Sequence, residues 1–249
     1  MVKFGVADFG MYAWAGGFFD YDDRLAAVCE IGYDGLEKLE ADSAEDALTK
    51  AALLKKKGMS FGTCTGARPE LSIKWTAALG GEYVWAQIYG YTLEAYKRGL
   101  CEMTKAAMQY GIKVAVHNHL GSLVETQETI EEVLQECPDS YLLLDTGHLA
   151  VAGGDVRYIA DKYCDRIAAY HLKGWQTSDT PDAEKWQERG YFCGIGQGDY
   201  FIDNEFVCKN ALRKGFDGWI HIEHDTHKRN PVLDLKESFD ILQKWRMEI

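Results

Sequence analysis

The chain has 249 residues, 47% of them hydrophobic, enough to bury the core of one large α/β domain or two small ones. Its 39 acidic against 27 basic residues leave a formal net charge of −12, and with no segregated Lys/Arg cluster such a chain is repelled by a nucleic-acid backbone. No apolar run is long enough to span a bilayer, the opening MVKFGVADFG lacks the layout of a secretory signal, and the seven cysteines are scattered and never spaced C-x-x-C. The expectation is a cytoplasmic protein with reduced thiols, without a disulfide framework, a cysteine-held zinc, a membrane partner or a nucleic-acid partner.

Strand-like and helix-like segments alternate in chain order. Residues 2–9 read as a strand, Tyr21–Ile31 as a helix closed by Gly32, and 34–40 as a second strand. Ser43 caps a helix running to about residue 57, followed by a strand at 59–64, a shorter helix after Pro69 and a strand at 83–88. A long helix at 92–110 leads to strand five at 112–117, whose β-branched apolar run ends abruptly in His117 and His119. Then come a helix at 125–136, strand six at Tyr141–Asp145, a helix at 155–163 and strand seven at 167–171. A polar, glycine-rich loop is expected over 174–199, before a helix at 201–214, strand eight at 218–223 and a last helix at 233–246. Within that loop, G194-I195-G196-Q197-G198-D199 follows no strand and lacks the lysine of a phosphate-binding loop, so it reads as a segment bordering a site.

Eight strand–helix repeats in about 250 residues fit a (β/α)8 TIM barrel, an α/β fold, as a single domain over residues 1–249. A doubly wound open sheet would carry a glycine fingerprint after its first strand, which V6-A7-D8-F9-G10 does not supply.

In such a barrel the C-terminal strand ends build the active site. Strand two carries Glu37 and Glu40, strand five ends in His117 and His119, strand six in D145-T146-G147-H148, strand seven in H171-L172-K173, and strand eight in H221-I222-E223-H224-D225. Four successive strands thus bring imidazole or carboxylate to one rim, a donor set suited to a divalent first-row cation rather than a structural zinc knuckle. Taken singly, Asp145 caps a turn and Glu223 is a surface carboxylate; the coincidence of place favours the metal. Strand alternation is read as turning His221 and His224 away from the face of Glu223, leaving both structural. Aromatic residues Trp14, Phe18, Trp175, Trp186 and Tyr191 offer faces for a sugar or cyclitol ring.

These pieces resemble the sugar phosphate isomerase/epimerase superfamily of xylose-isomerase-like TIM barrels, most closely its myo-inosose-2 dehydratase branch. The resemblance rests on V116-H117-N118-H119-L120-G121-S122, L143-L144-D145-T146-G147-H148 with A152-G153-G154-D155, D165-R166-I167 leading to H171-L172-K173, and G218-W219-I220-H221-I222-E223 followed by R229-N230-P231. It implies one divalent metal held by His117, Asp145, His171 and Glu223, manganese first, with cobalt, zinc, iron or magnesium as the other candidates. Many relatives carry glutamate where His117 stands, and use two metal-bound glutamates as paired acid and base; here only Glu223 remains. The family's H-L-K-D becomes H171-L172-K173-G174.

The chemistry expected is proton abstraction α to the carbonyl of a keto sugar or keto-cyclitol, with the metal polarising the carbonyl. His119 is the first choice of base, two residues from His117 and with a pKa near working pH; Glu223 is the second. Lys173 and Glu37 are expected to orient hydroxyls, with Lys173 also stabilising negative charge, and Trp14 and Trp175 to contact substrate; His148 is either a substrate contact or an additional ligand. Protonation of a β-leaving group gives a lyase, as in an inosose dehydratase or 3-keto-glycoside elimination; reprotonation of carbon gives the alternative, a keto-sugar isomerase or epimerase. An apurinic-site endonuclease shares the D-T-x-H element but draws on early-strand histidines, and the first three strands here have none. A non-catalytic sugar-binding barrel is the remaining class. The partners expected are the small-molecule substrate and, as an open option, further copies of the chain as a homo-oligomer.

Overall fold

The computed structural model describes residues 1–12, 20–88, 90–225 and 227–249. Trp14 and Phe18 lie outside them. In chain order the elements are β1 Lys3–Ala7, α1 Phe9–Tyr12, α2 Tyr21–Ile31, β2 Gly35–Glu40, α3 Ala44–Lys56, β3 Ser60–Thr65, α4 Pro69–Leu79, β4 Tyr83–Trp85, α5 Leu93–Met108, β5 Lys113–His117 and α6 Gln127–Glu136. They continue with β6 Tyr141–Asp145, α7 Thr146–Val151, α8 Val156–Lys162, β7 Ile167–Leu172, β8 Gly174–Thr177, α9 Trp186–Arg189, β9 Gly190–Cys193, α10 Asn204–Arg213, β10 Trp219–Glu223 and α11 Pro231–Met247.

Eight strands form one parallel sheet in the order β3-β2-β1-β10-β7-β6-β5-β4, with helices between them: a (β/α)8 TIM barrel whose eighth strand is β10. At the β3/β4 seam the Glu82 N–H donates to the Gly62 carbonyl at 3.0 Å. Both faces of each strand are buried, so the strands read as near-continuous apolar runs. Val114, Val116, Leu142, Leu144, Leu172, Ile220 and Ile222 pack outward against the helices. Inward, Tyr83, Ala115, Leu143, Ala169 and Trp219 fill the lower barrel. Large and small residues alternate there to reach close packing: a Cβ on Gly5 would stand 2.7 Å from the His221 ring and 2.9 Å from Trp219. That filled floor lifts the polar inward positions to the C-terminal rim.

The helix starts follow their sequence signals. Asp20, Ser43 and Thr92 each accept a hydrogen bond from the backbone N–H three residues on, and Thr126 forms a capping box with Thr129. Among the described residues no helix is long and apolar enough to cross a membrane.

Two expectations are corrected. The stretch 174–199 is not an open loop: β8 and β9 pair antiparallel as a hairpin, Trp175 opposite Phe192, on the side of the barrel mouth. The thiols are not all reduced either. Cys101 on α5 is bonded to Cys137 at the end of α6, 36 residues away, a pairing that neighbouring helices create and no local spacing announces.

Candidate active site

His117, Asp145 and Glu223 end β5, β6 and β10, and His171 is the last residue but one of β7, so neighbouring strands each supply one. Each offers a ligand atom to a group whose members all lie within 4.8 Å of one another. His117 Nε2 is 3.3 Å from Asp145 Oδ2, and His171 Nδ1 is 3.5 Å from the same oxygen and 2.9 Å from Glu223 Oε2.

Local structure aims these groups. Asp145 is both rim carboxylate and N-cap: its Oδ1 accepts the His148 N–H at 2.9 Å and starts α7, which leaves Oδ2 for the cluster. Asn118 locks the preceding turn, its amide exchanging 3.0 and 2.9 Å bonds with the Asp145 backbone. The glycine of D-T-G-H has a packing reason, since a Cβ on Gly147 would stand 2.4 Å from Lys173 Cγ. Glu37 comes up from β2 beneath His171. Its Oε1 accepts from Tyr83 Oη at 2.8 Å, Trp85 Nε1 at 2.9 Å and His171 Nε2 at 3.0 Å.

The electrostatics are those of carboxylates crowded among cations. Burial alone would raise Asp145, but Lys173, His148 and His117 hold its pKa well below the usual carboxylate range. Glu223 is likewise raised by burial and held well below by His171 and Lys173. Burial would lower His171, yet Glu223 and Glu37 push it well above an ordinary imidazole. For His117 burial wins over Asp145, and the pKa falls. Lys173 is fully buried; its Nζ is 2.7 Å from Asp145 Oδ2, closer still to Glu223 Oε2, and is held charged by them against burial.

The donor set fits a divalent cation: two imidazole nitrogens and two ionised carboxylates converge, and Glu37 accepts from the far nitrogen of His171, the arrangement that orients a ligating histidine. Lys173 supplies positive charge to the same two carboxylates.

His119 and His148 stand beside this group, their ring centres 3.8 Å apart. They have opposite tautomers. His119 Nδ1 lies 2.7 Å from the Leu120 carbonyl and must donate to it, leaving Nε2 with a lone pair. His148 Nδ1 accepts the Leu120 N–H at 3.3 Å, so its Nε2 carries the hydrogen. That Nε2 is buried without a hydrogen-bond partner among the described residues, 3.9 Å from Asp225 Oδ2 and 4.0 Å from Asp145 Oδ2. Asp225 also faces His119 Nε2 at 3.8 Å; burial would lower His119, but Asp225 and the Leu120 carbonyl raise it.

Trp186 and Phe192 wall this side, Trp186 5.8 Å from both imidazoles and Phe192 4.6 Å from His148. Trp175 is buried behind them, 4.8 Å from Phe192. On the opposite side Asp8, Tyr12, Arg24, Glu40 and Glu223 line a cleft, with Arg24 Nε donating to Asp8 at 2.8 Å.

One assignment is corrected. His221 lies two residues before Glu223, so alternation puts both on one face; its ring sits inside the barrel, stacked on Trp219, with ligand atoms near Glu37 and His171. Burial lowers its pKa to about 3. His224, at odd spacing, does turn away. Asp225, two residues past the end of β10, also reaches the rim beside His119 and His148, a role not expected from the sequence although H-I-E-H-D spells the residue out.

A family model described as "Xylose isomerase-like TIM barrel" matches residues 25–245. The chain is 31% identical to an inosose dehydratase of Clostridium beijerinckii over 133 residues, 50% of this chain and 44% of that protein; it thus spans about half the length of the curated relatives it matches. By fold it is similar to the probable 3-DHS dehydratase AsbF of Bacillus anthracis, with TM-score 0.74 and 15% identity over 97% of this chain and 98% of that one. The IolI protein, solved with a bound zinc, superposes with TM-score 0.67 and 17% identity over 99% and 97%.

Proposed function

The chain belongs to the xylose isomerase-like TIM barrel family, and on that premise we propose that it is a metal-dependent lyase that removes water from a keto-cyclitol or keto sugar. The observation that carries the reading is the hydrogen bonding of two imidazoles at the mouth, which assigns opposed tautomers: a basic His119 Nε2 beside a His148 N–H without a hydrogen-bond partner among the described residues. A β-elimination needs both, a base for the α-proton and a donor at the departing oxygen. The match to inosose dehydratases supports a cyclitol as the substrate class.

His117, Asp145, His171 and Glu223 would hold the ion. Bound there, a divalent cation supplies Lewis acidity at a substrate carbonyl and makes the neighbouring C–H more acidic. The remaining steps belong to the chain. His119 Nε2 takes the α-proton, and Asp225, 3.8 Å away, stabilises the imidazolium. The C–O bond at the β-carbon breaks as the C=C forms; His148 Nε2–H holds the departing hydroxyl and the His119 imidazolium returns its proton to it, so water leaves and His119 is reset. Lys173 balances negative charge between Asp145 and Glu223. Glu37 holds His171 rather than a hydroxyl, and Trp186 with Phe192 gives the ring an apolar wall. His148 is thus read as a substrate contact.

The test is incubation of manganese-loaded protein with inosose, then with common ketoses, in D2O under NMR. Loss of a hydroxyl-bearing carbon signal with an enone appearing is the expected result. Deuterium entering a carbon whose oxygens all stay assigns an isomerase or epimerase instead, and no change with any keto compound removes the enzymatic reading.

A further inference from the structure

A second group of metal-ligating side chains lies outside the barrel mouth, where the chain leaves β10. His224 directly follows β10, turned away from the mouth, His227 lies further along the connecting segment, and Asp234 is in the first turn of α11; all three are buried. His224 Nδ1 is 2.9 Å from His227 Nδ1, and that His227 nitrogen is 3.3 Å from Asp234 Oδ2.

Hydrogen bonding satisfies this triangle only in part. An imidazole nitrogen in the ring plane carries either one hydrogen or one lone pair. With a hydrogen on it, His227 Nδ1 must divide that one hydrogen between Asp234 Oδ2 and the His224 Nδ1 lone pair. With a lone pair, it accepts from His224 and points electrons at the Asp234 carboxylate. A cation removes the conflict, because all three atoms then act as electron donors. Donors on a tetrahedral centre with bonds of about 2.1 Å stand about 3.4 Å apart; the 3.3 Å His227–Asp234 distance matches this and the 2.9 Å His224–His227 distance is shorter.

One further observation favours an ion. The other oxygen of Asp234 is already held by Arg229 Nε and, at 3.4 Å, by Gln197 Nε2, which fixes Oδ2 toward the imidazoles as outer partners do for ligating carboxylates. Arg229 also pairs with Glu237, so Asp234 keeps negative charge to offer.

We propose that His224, His227 and Asp234 form a second, structural site for a zinc-class divalent cation, leaving a position for water. The site clamps the segment after β10, which carries Asp225, onto the start of α11. It stands independently of the barrel-mouth reading.

The test is metal content after dialysis in zinc buffer, on the full chain. The expected result is two zinc ions per chain in the unaltered protein, one in Asp145→Asn, one in each of His227→Gln and Asp234→Asn, and none in the Asp145→Asn/His227→Gln double variant. Cobalt-loaded Asp145→Asn should keep the visible bands of tetrahedral cobalt, and the double variant should lose them. A single ion that survives Asp145→Asn but not His227→Gln keeps this site and removes the one at the mouth. An ion count unchanged by His227→Gln and Asp234→Asn, or no ion and no cobalt bands in folded Asp145→Asn, overturns the proposal. Should a variant not fold, the remaining single variants decide.

Discussion

Asp8 and Asp145 are both buried carboxylates where a strand meets the rim, Asp8 directly after β1 and Asp145 at the end of β6. Their pKa values move in opposite directions. Asp8 meets one cation, Arg24, and burial outweighs it, so its pKa rises. Asp145 meets Lys173 and three imidazoles, and its pKa falls far. The difference follows the histidines rather than burial, since Glu37 on β2 is also lowered where His171 reaches it. The half with the histidines concentrates enough positive charge to keep two carboxylates ionised without water, which is the state a cation needs. The other half contributes Glu37, which is tied to Tyr83, Trp85 and His171, and a polar cleft.

The sharpest way to break this contrast is Asp145→Asn. It removes the charge on which His117, His171 and Lys173 all converge, so bound metal should be lost from the mouth and turnover should fall to background, about a thousandfold or more. Metal analysis together with the D2O assay checks it; an Asn variant that keeps both would show that the charge concentration has no chemical role.

His119→Gln separates the imidazole pair from the ligand group. Metal content should stay, and turnover should drop about a hundredfold to ten-thousandfold, the usual contribution of a positioned base. Full activity in this variant would move the base to Glu223.

Much of this was readable beforehand, for a physical reason. Barrel strands are buried on both faces, so their apolar runs stand out, and His117, Asp145, His171 and Glu223 fall where those runs stop. His221 is equally readable, because it shares strand parity with Glu223, and Asp225 follows two residues beyond the strand end. The tautomers of His119 and His148 were not readable. They depend on the backbone of Leu120, whose carbonyl and N–H face different rings. The Cys101–Cys137 bond and the β8–β9 hairpin likewise depend on which helices and loops become neighbours, information that alternation and spacing do not carry.

Glu37→Gln reaches across the two halves. The amide oxygen still accepts from Tyr83 and Trp85, but the charged partner of His171 is gone. Metal affinity at the mouth should weaken about tenfold to a hundredfold, the typical effect of removing such an outer partner, with a smaller loss of turnover at saturating metal. Isothermal titration of metal into the variant reads this directly, and unchanged affinity would leave Glu37 as part of the packing.

The smallest effect concerns Asp8 itself and is visible only as a slope. Its folded pKa lies above the unfolded value, so the folded chain binds this proton more tightly. The stability it contributes is fully present below the unfolded pKa and is lost as pH rises through the folded one. Asp145 and Glu223 have depressed values and run the other way, losing stability as pH falls. Asp8→Asn removes one titration from the first half and none from the second. Arg24 stays charged throughout and adds a constant offset. The variant's stability relative to the unaltered chain should therefore improve from pH 4 toward pH 7, by urea unfolding. A difference that is flat with pH would mean that Arg24 fully compensates Asp8, and that the two halves handle buried carboxylates alike.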